Sequence, residues 1–171
     1  MRVNMTLIIA VLAVLAAAAF QGLSPVTRWV PVKWPFLTAV ALYYALAKPA
    51  PVALTVVVWA GVLTDALGGL PQGCTCVFLA LAYAGALGLR KAFGEGSPAR
   101  GVALTGLAAA AQQVWMRMWV AGTGVPVFSL EMLRLAAVAA GAGLAAGAVA
   151  FAAVGALERF VGIGGGVKFS K

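Results

Sequence analysis

The spacing of its charges constrains this chain more than any other feature. Twelve Lys or Arg and four Asp or Glu are spread over 171 residues, and long apolar stretches fill the gaps between them. Charged residues make up 9% and hydrophobic residues 64%, whereas a soluble domain carries about 25% charge and about 45–50% apolar residues with glycine counted. Such a chain cannot build a water-facing surface around a core. It reads as an all-α integral membrane protein whose first partners are membrane lipids. The net charge of 12 − 4 = +8 has no polar face to sit on, which excludes a nucleic-acid module.

A spanning helix needs roughly 20 mostly apolar residues. Six candidates fit a six-helix transmembrane bundle in one polytopic domain, residues 1–171: 5–23, 34–47, 52–67, 74–89, 102–121 and 130–157. Turn residues punctuate them: Ser24-Pro25, Pro49-Ala50-Pro51, Gly68-Gly69-Leu70-Pro71, Gly94 to Pro98, and Gly122 to Pro126. The second and third candidates are short for a hydrocarbon core of about 30 Å. The last is longer than a span needs, as a tilted or bent helix would be. Arg2 and Ala17-Ala18-Ala19 also resemble a cleavable signal, but the apolar run continues past that site, which favours an anchor.

With the N-terminus in the cytoplasm, the inner segments hold eight cations: Arg2, Lys48, Arg90, Lys91, Arg100, Arg159, Lys168 and Lys171. The outer segments hold three, Arg28, Lys33 and Arg134, and Arg117 lies within a span. The bias places both termini inside. Trp29, Trp34, Tyr43, Tyr44, Trp115 and Trp119 then fall near the interfaces as an aromatic belt.

Residue types limit the chemistry. There is no His, so His-dependent triads and His-bearing metal sites are excluded. Asp65 is the one Asp, and Glu95, Glu131 and Glu158 are far apart in sequence. Cys74 and Cys76 would leave a tetrahedral metal site half filled. No cofactor, metal or catalytic activity is expected, and the glycines from Gly162 to Gly166 read as a tail, not a phosphate loop.

Asp65 stands out because an acid inside a span is costly. It reads as a structural anchor or a relay. Arg117 would lie at similar depth, which suggests an Asp65–Arg117 pair supported by Gln113 four residues earlier; alternatively Arg117 snorkels alone. Gln112 and Gln113 point about 100° apart on one helix, so one of them is expected to bond a neighbouring helix. Gly143 and Gly147 form a GxxxG stripe in the last helix, and Ala80, Ala84 and Gly88 form a similar stripe in the fourth. Such stripes let helices approach closely, within the molecule or towards a partner.

The stretch Trp34-Pro35-Phe36, Tyr43-Tyr44-Ala45-Leu46, Pro49, then Gly61-Val62-Leu63-Thr64-Asp65 running into Leu70-Pro71-Gln72-Gly73 resembles the rod shape-determining protein MreD family. The likeness covers residues 34–73. The unusual Ala and Gly richness and the Cys74/Cys76 pair depart from the family's pattern without removing a motif residue. The resemblance implies a fold like the substrate-binding subunits of energy-coupling-factor transporters. It also implies a non-enzymatic inner-membrane scaffold that binds an MreC-like single-span protein. Through MreC such a scaffold connects to a RodA-type glycosyltransferase and a class B penicillin-binding protein, with MreB filaments on the cytoplasmic side. Asp65, Gly61, Pro71 and Gly73 would shape the bundle, and Gly143 and Gly147 would receive a partner helix. The alternative is a small-molecule, vitamin-type transport subunit or a small membrane carrier, with an outward cavity lined by Trp59, Tyr83, Gln112, Gln113 and Arg117.

Overall fold

A computed structural model describes residues 2–24, 32–93, 97–120 and 129–162. The chain forms six helices: α1 Arg2–Leu23, α2 Phe36–Ala47, α3 Ala50–Gly68, α4 Cys74–Phe93, α5 Pro98–Val120 and α6 Leu130–Phe160. Arg28, Trp29, Glu95, the loop Gly122 to Pro126 and the tail beyond Gly162 lie outside the described residues.

Local chemistry sets the breaks. Pro51 sits in the first turn of α3, where its missing N–H is no loss, and extended Pro49 precedes it. Gly69 ends α3 in the left-handed region at φ 64°, and its N–H donates to the Asp65 carbonyl. Ser129 caps α6 by accepting from Met132 N, with Glu131 in the first turn.

Three helices, α1, α3 and α6, are long and apolar enough to cross a membrane. Alpha3 is longer than its apolar pattern suggests, 19 residues starting at Ala50. Alpha2 and the stretch Cys74–Arg90 of α4 are apolar but shorter. Alpha5 carries Arg100, Gln112, Gln113 and Arg117 and is the least apolar of the six. Leu12, Leu15, Phe20 and Val58 point outward. Outward faces of this kind suit lipid and would be a liability in water.

The shortest helix is the centre of the molecule. Alpha2 has 12 residues, and Leu37 through Ala45 are all buried. It touches each of the other five helices. At 1.5 Å per residue it spans about 18 Å, so both its ends fall inside the bundle. A buried helix end exposes unpaired N–H or C=O groups, which apolar surroundings do not tolerate. The polar side chains of the core are placed to meet this need.

Alpha5 and α6 form the most extensive pair. A Cβ on Gly143 would stand 2.6 Å from the Ala109 Cβ and 2.8 Å from the Thr105 carbonyl. One on Gly147 would stand 3.0 Å from the Thr105 Cβ. The GxxxG stripe is therefore filled by α5 of the same chain, and Gly143 and Gly147 are not free for a partner. The α4 stripe differs: Ala80, Ala84 and Gly88 are exposed.

Gly61 marks the closest approach of α3 to α4. A Cβ there would lie 2.6 Å from Cys76 Sγ and 2.7 Å from Cys76 Cα. Because backbone blocks the site, Gly61→Ala should cost about 1–3 kcal/mol. Gly85→Ala, with nothing within 4 Å of the added carbon, should be neutral or stabilising by up to about 1 kcal/mol. Thermal unfolding of both variants in detergent checks this contrast, and equal midpoints would contradict it.

Candidate functional site

Three polar nodes interrupt the apolar interior. The first is the turn between α3 and α4. Asp65 is fully buried. Its Oδ2 accepts from Gly73 N at 2.8 Å, and its Oδ1 accepts from Thr75 N at 2.9 Å. The carboxylate thus sits on the N-terminus of α4, where unpaired N–H groups and the positive end of the helix dipole stabilise an anion. Gly73, at φ 96°, takes a backbone shape that a side chain disfavours. The Pro71 carbonyl accepts from Cys74 N at 3.2 Å. Gly61 admits α4 close enough for Asp65 to reach it. Trp115 of α5 closes the far side by donating Nε1–H to the Cys74 carbonyl at 3.0 Å.

The Asp65–Arg117 pair is not formed. Both Asp65 oxygens are taken by backbone amides, and an ion pair of the interior joins Lys48 to Glu158 instead. Arg117 and Gln113 are half-buried, and Gln113 does not link Arg117 to Asp65. The physical reason is that a helix N-terminus can stabilise a buried carboxylate without a cation.

The second node lies at the C-terminal end of α2. Lys48 Nζ and Glu158 Oε2 are 2.8 Å apart, with side chains 7% and 2% exposed. The Tyr43 hydroxyl donates to the same Glu158 oxygen at 3.0 Å. Arg90 of α4 reaches the Lys48 carbonyl at 3.5 Å. Glu158 Oε1 and the Tyr44 hydroxyl are buried without a hydrogen-bond partner among the described residues. The node joins α2, α4 and α6 where the short helix stops. It also places Tyr43 and Tyr44 in the core, stacked edge to face at 5.4 Å, and not in an interfacial belt. Sequence reasoning missed Glu158 and counted Lys48 as a loop charge. A signal was present: Glu158 falls within the apolar periodicity of the last helix, four residues after Val154.

The third node lies at the N-terminal end of α2. Gln21 Oε1 of α1 accepts from Leu37 N at 3.2 Å, meeting an unpaired helix-start amide. Thr38 donates to Gln112 Oε1 of α5 at 2.7 Å, the interhelical amide bond expected of one of the two glutamines. A cavity of about 220 Å³ adjoins this node, with Gln112 and Gln113 in its wall. The other residues expected to line an outward cavity are elsewhere. Trp59 borders an apolar groove of about 260 Å³ between α1 and α3. Tyr83 is buried in the core, and Arg117 does not line the cavity.

Cys74 and Cys76 are free thiols; Cys74 is buried and Cys76 packs against Gly61 at the α3–α4 contact. No protein-family model, curated protein or solved structure matches the chain.

Proposed function

We propose that this chain is a non-enzymatic, multi-pass scaffold of the bacterial inner membrane, similar to MreD. In this role it would bind an MreC-like single-span protein and support wall synthesis and cell-shape control. The observation that carries the reading is what the family-like residues do. Gly61, Asp65, Pro71 and Gly73 all go into locking α3 to α4; none presents a reactive group. The polar nodes finish helix ends, which suits a rigid body whose outer faces engage other membrane proteins.

With the α6 stripe filled by α5, the small-residue face left for a partner helix is Ala80, Ala84 and Gly88 on α4. In lipid, helix association depends on close backbone approach, which small residues permit. Both termini face the cytoplasm in this proposal, following the cation bias. A RodA-type glycosyltransferase and a class B penicillin-binding protein would be reached through the partner, and MreB would lie on the cytoplasmic side.

Depletion of the chain in its source cells tests the role. Loss of width control and rounding, restored by the wild type but not by a stably folded Ala84→Leu/Gly88→Leu double variant, is expected. Unchanged shape on depletion would contradict it.

The second reading, a transport subunit of the energy-coupling-factor kind, draws on the cavity beside Gln112. At about 220 Å³ that cavity is below the roughly 300–1,000 Å³ usual for drug-sized ligands, which favours the scaffold.

A further inference from the structure

We propose that the cavity at the N-terminal end of α2 binds a phosphate-bearing group, either the headgroup of an anionic phospholipid or a small glycerophosphate. The inference does not depend on the scaffold reading; it stands on the donors that face the cavity.

Gln21 and Gln112 are 5% and 4% exposed, and both line the cavity. Each uses its carbonyl oxygen to accept a bond, Gln21 from Leu37 N and Gln112 from the Thr38 hydroxyl. Neither NH2 group has a hydrogen-bond partner among the described residues. An amide nitrogen carries two donors, so each glutamine keeps donors to give beside the cavity. Gln113 adds a half-buried amide. Lys33 stands exposed at the lip, with Nζ 2.6 Å from the Leu67 carbonyl. That bond covers an end carbonyl of α3, and the ammonium has further donors to give.

No acid among the described residues lines the cavity. Asp65 is close in sequence to Thr64 and Gly68 of its wall, but its oxygens are turned to the amides of Gly73 and Thr75. The Gln21 and Gln112 NH2 groups and the Lys33 ammonium are donors, and the last is positive. Their complement is an anionic group rich in oxygen. The donors come from three separate parts of the chain, α1, α5 and the segment before α2. A phosphate, with several oxygens and up to two negative charges, can accept from more of them at once than a carboxylate can.

The remaining wall is largely apolar, including Val32, Leu70 and Met116, and would take a short carbon stem. At about 30 Å³ per water in the liquid, the 220 Å³ cavity holds a compact group. Its position also fits. The ends of α1, α2 and α3 meet there, and Trp34 stacks on Phe36 beside it at 6.0 Å, the kind of side chain that marks headgroup depth.

The test uses the full chain in phosphatidylcholine nanodiscs, with thermal unfolding followed by tryptophan fluorescence. The probes are phosphatidylglycerol as a minority lipid and glycerol 3-phosphate in the buffer. At least one should raise the unfolding midpoint. A rise with the lipid alone assigns the headgroup; a rise with both assigns a site open to free phosphate esters. Gln112→Glu keeps the acceptor for Thr38 and replaces the free NH2 with an acceptor of the same shape. It should weaken the effect roughly tenfold, as loss of a charge-assisted contact does. Lys33→Gln, on the exposed lip, gives the same reading should the buried variant not fold. No rise with either probe, or an equal rise in both variants, would overturn the proposal.

Discussion

Replacing Asp65 with alanine should destabilise the protein by about 3–5 kcal/mol, since it removes two hydrogen bonds to a charged acceptor at roughly 1.5–3 kcal/mol each. The variant leaves Gly73 N and Thr75 N unpaired at a buried helix start. It also removes the negative charge that the α4 dipole favours. Asp65→Asn should fall between alanine and wild type, because one of its terminal groups is a donor facing a donor. Thermal unfolding in detergent, with helicity followed by circular dichroism, measures both. Combining Asp65→Arg with Arg117→Asp should give no rescue over either single change, since Arg117 is not the partner. A cost for alanine within about 0.5 kcal/mol, the range of a surface change, would show that the amides find other acceptors.

The second large effect concerns the buried ion pair. Lys48→Met should cost about 3–5 kcal/mol because it leaves Glu158 charged and uncompensated in the interior. Glu158→Met should do the same to Lys48. The double variant should recover most of the loss, as buried pairs replaced by apolar residues often do. A double-mutant cycle on thermal unfolding reads the coupling directly. Additive losses would mean that the two side chains act separately, contrary to their 2.8 Å contact.

Both expectations show where the sequence was readable. The helices and their punctuation were visible because lipid imposes a length and a hydropathy on each candidate span. Gly61, Asp65 and Gly73 were visible as a turn motif. The partner of Asp65 was not, because charge reasoning looks for a cation and backbone N–H groups belong to every residue. Glu158 was hidden for another reason. Its partner, Lys48, is 110 positions away, and only the folded path of the chain brings α2 and α6 together.

Alpha2 is the clearest case of tertiary structure overriding length. Its 12 residues looked like the weakest span, yet it is the helix around which the others assemble. Once it is central, the nodes at its two ends follow as the means of finishing a short helix inside an apolar bundle, while the Asp65 node finishes the start of α4. The small-residue stripes teach the same lesson. Those of α4 and α6 look alike in sequence, and the fold alone decides that α5 fills one and leaves the other exposed.

Co-purification from native membranes tests the scaffold most directly. The chain, tagged at its C-terminus and gently solubilised, should bring down an MreC-like single-span protein in stoichiometric amount, with wall synthases beside it, as judged by mass spectrometry. Ala84→Leu/Gly88→Leu should lose that companion while keeping the wild-type unfolding midpoint. A chain that emerges alone, or with an ATPase-linked transport subunit, would contradict the account.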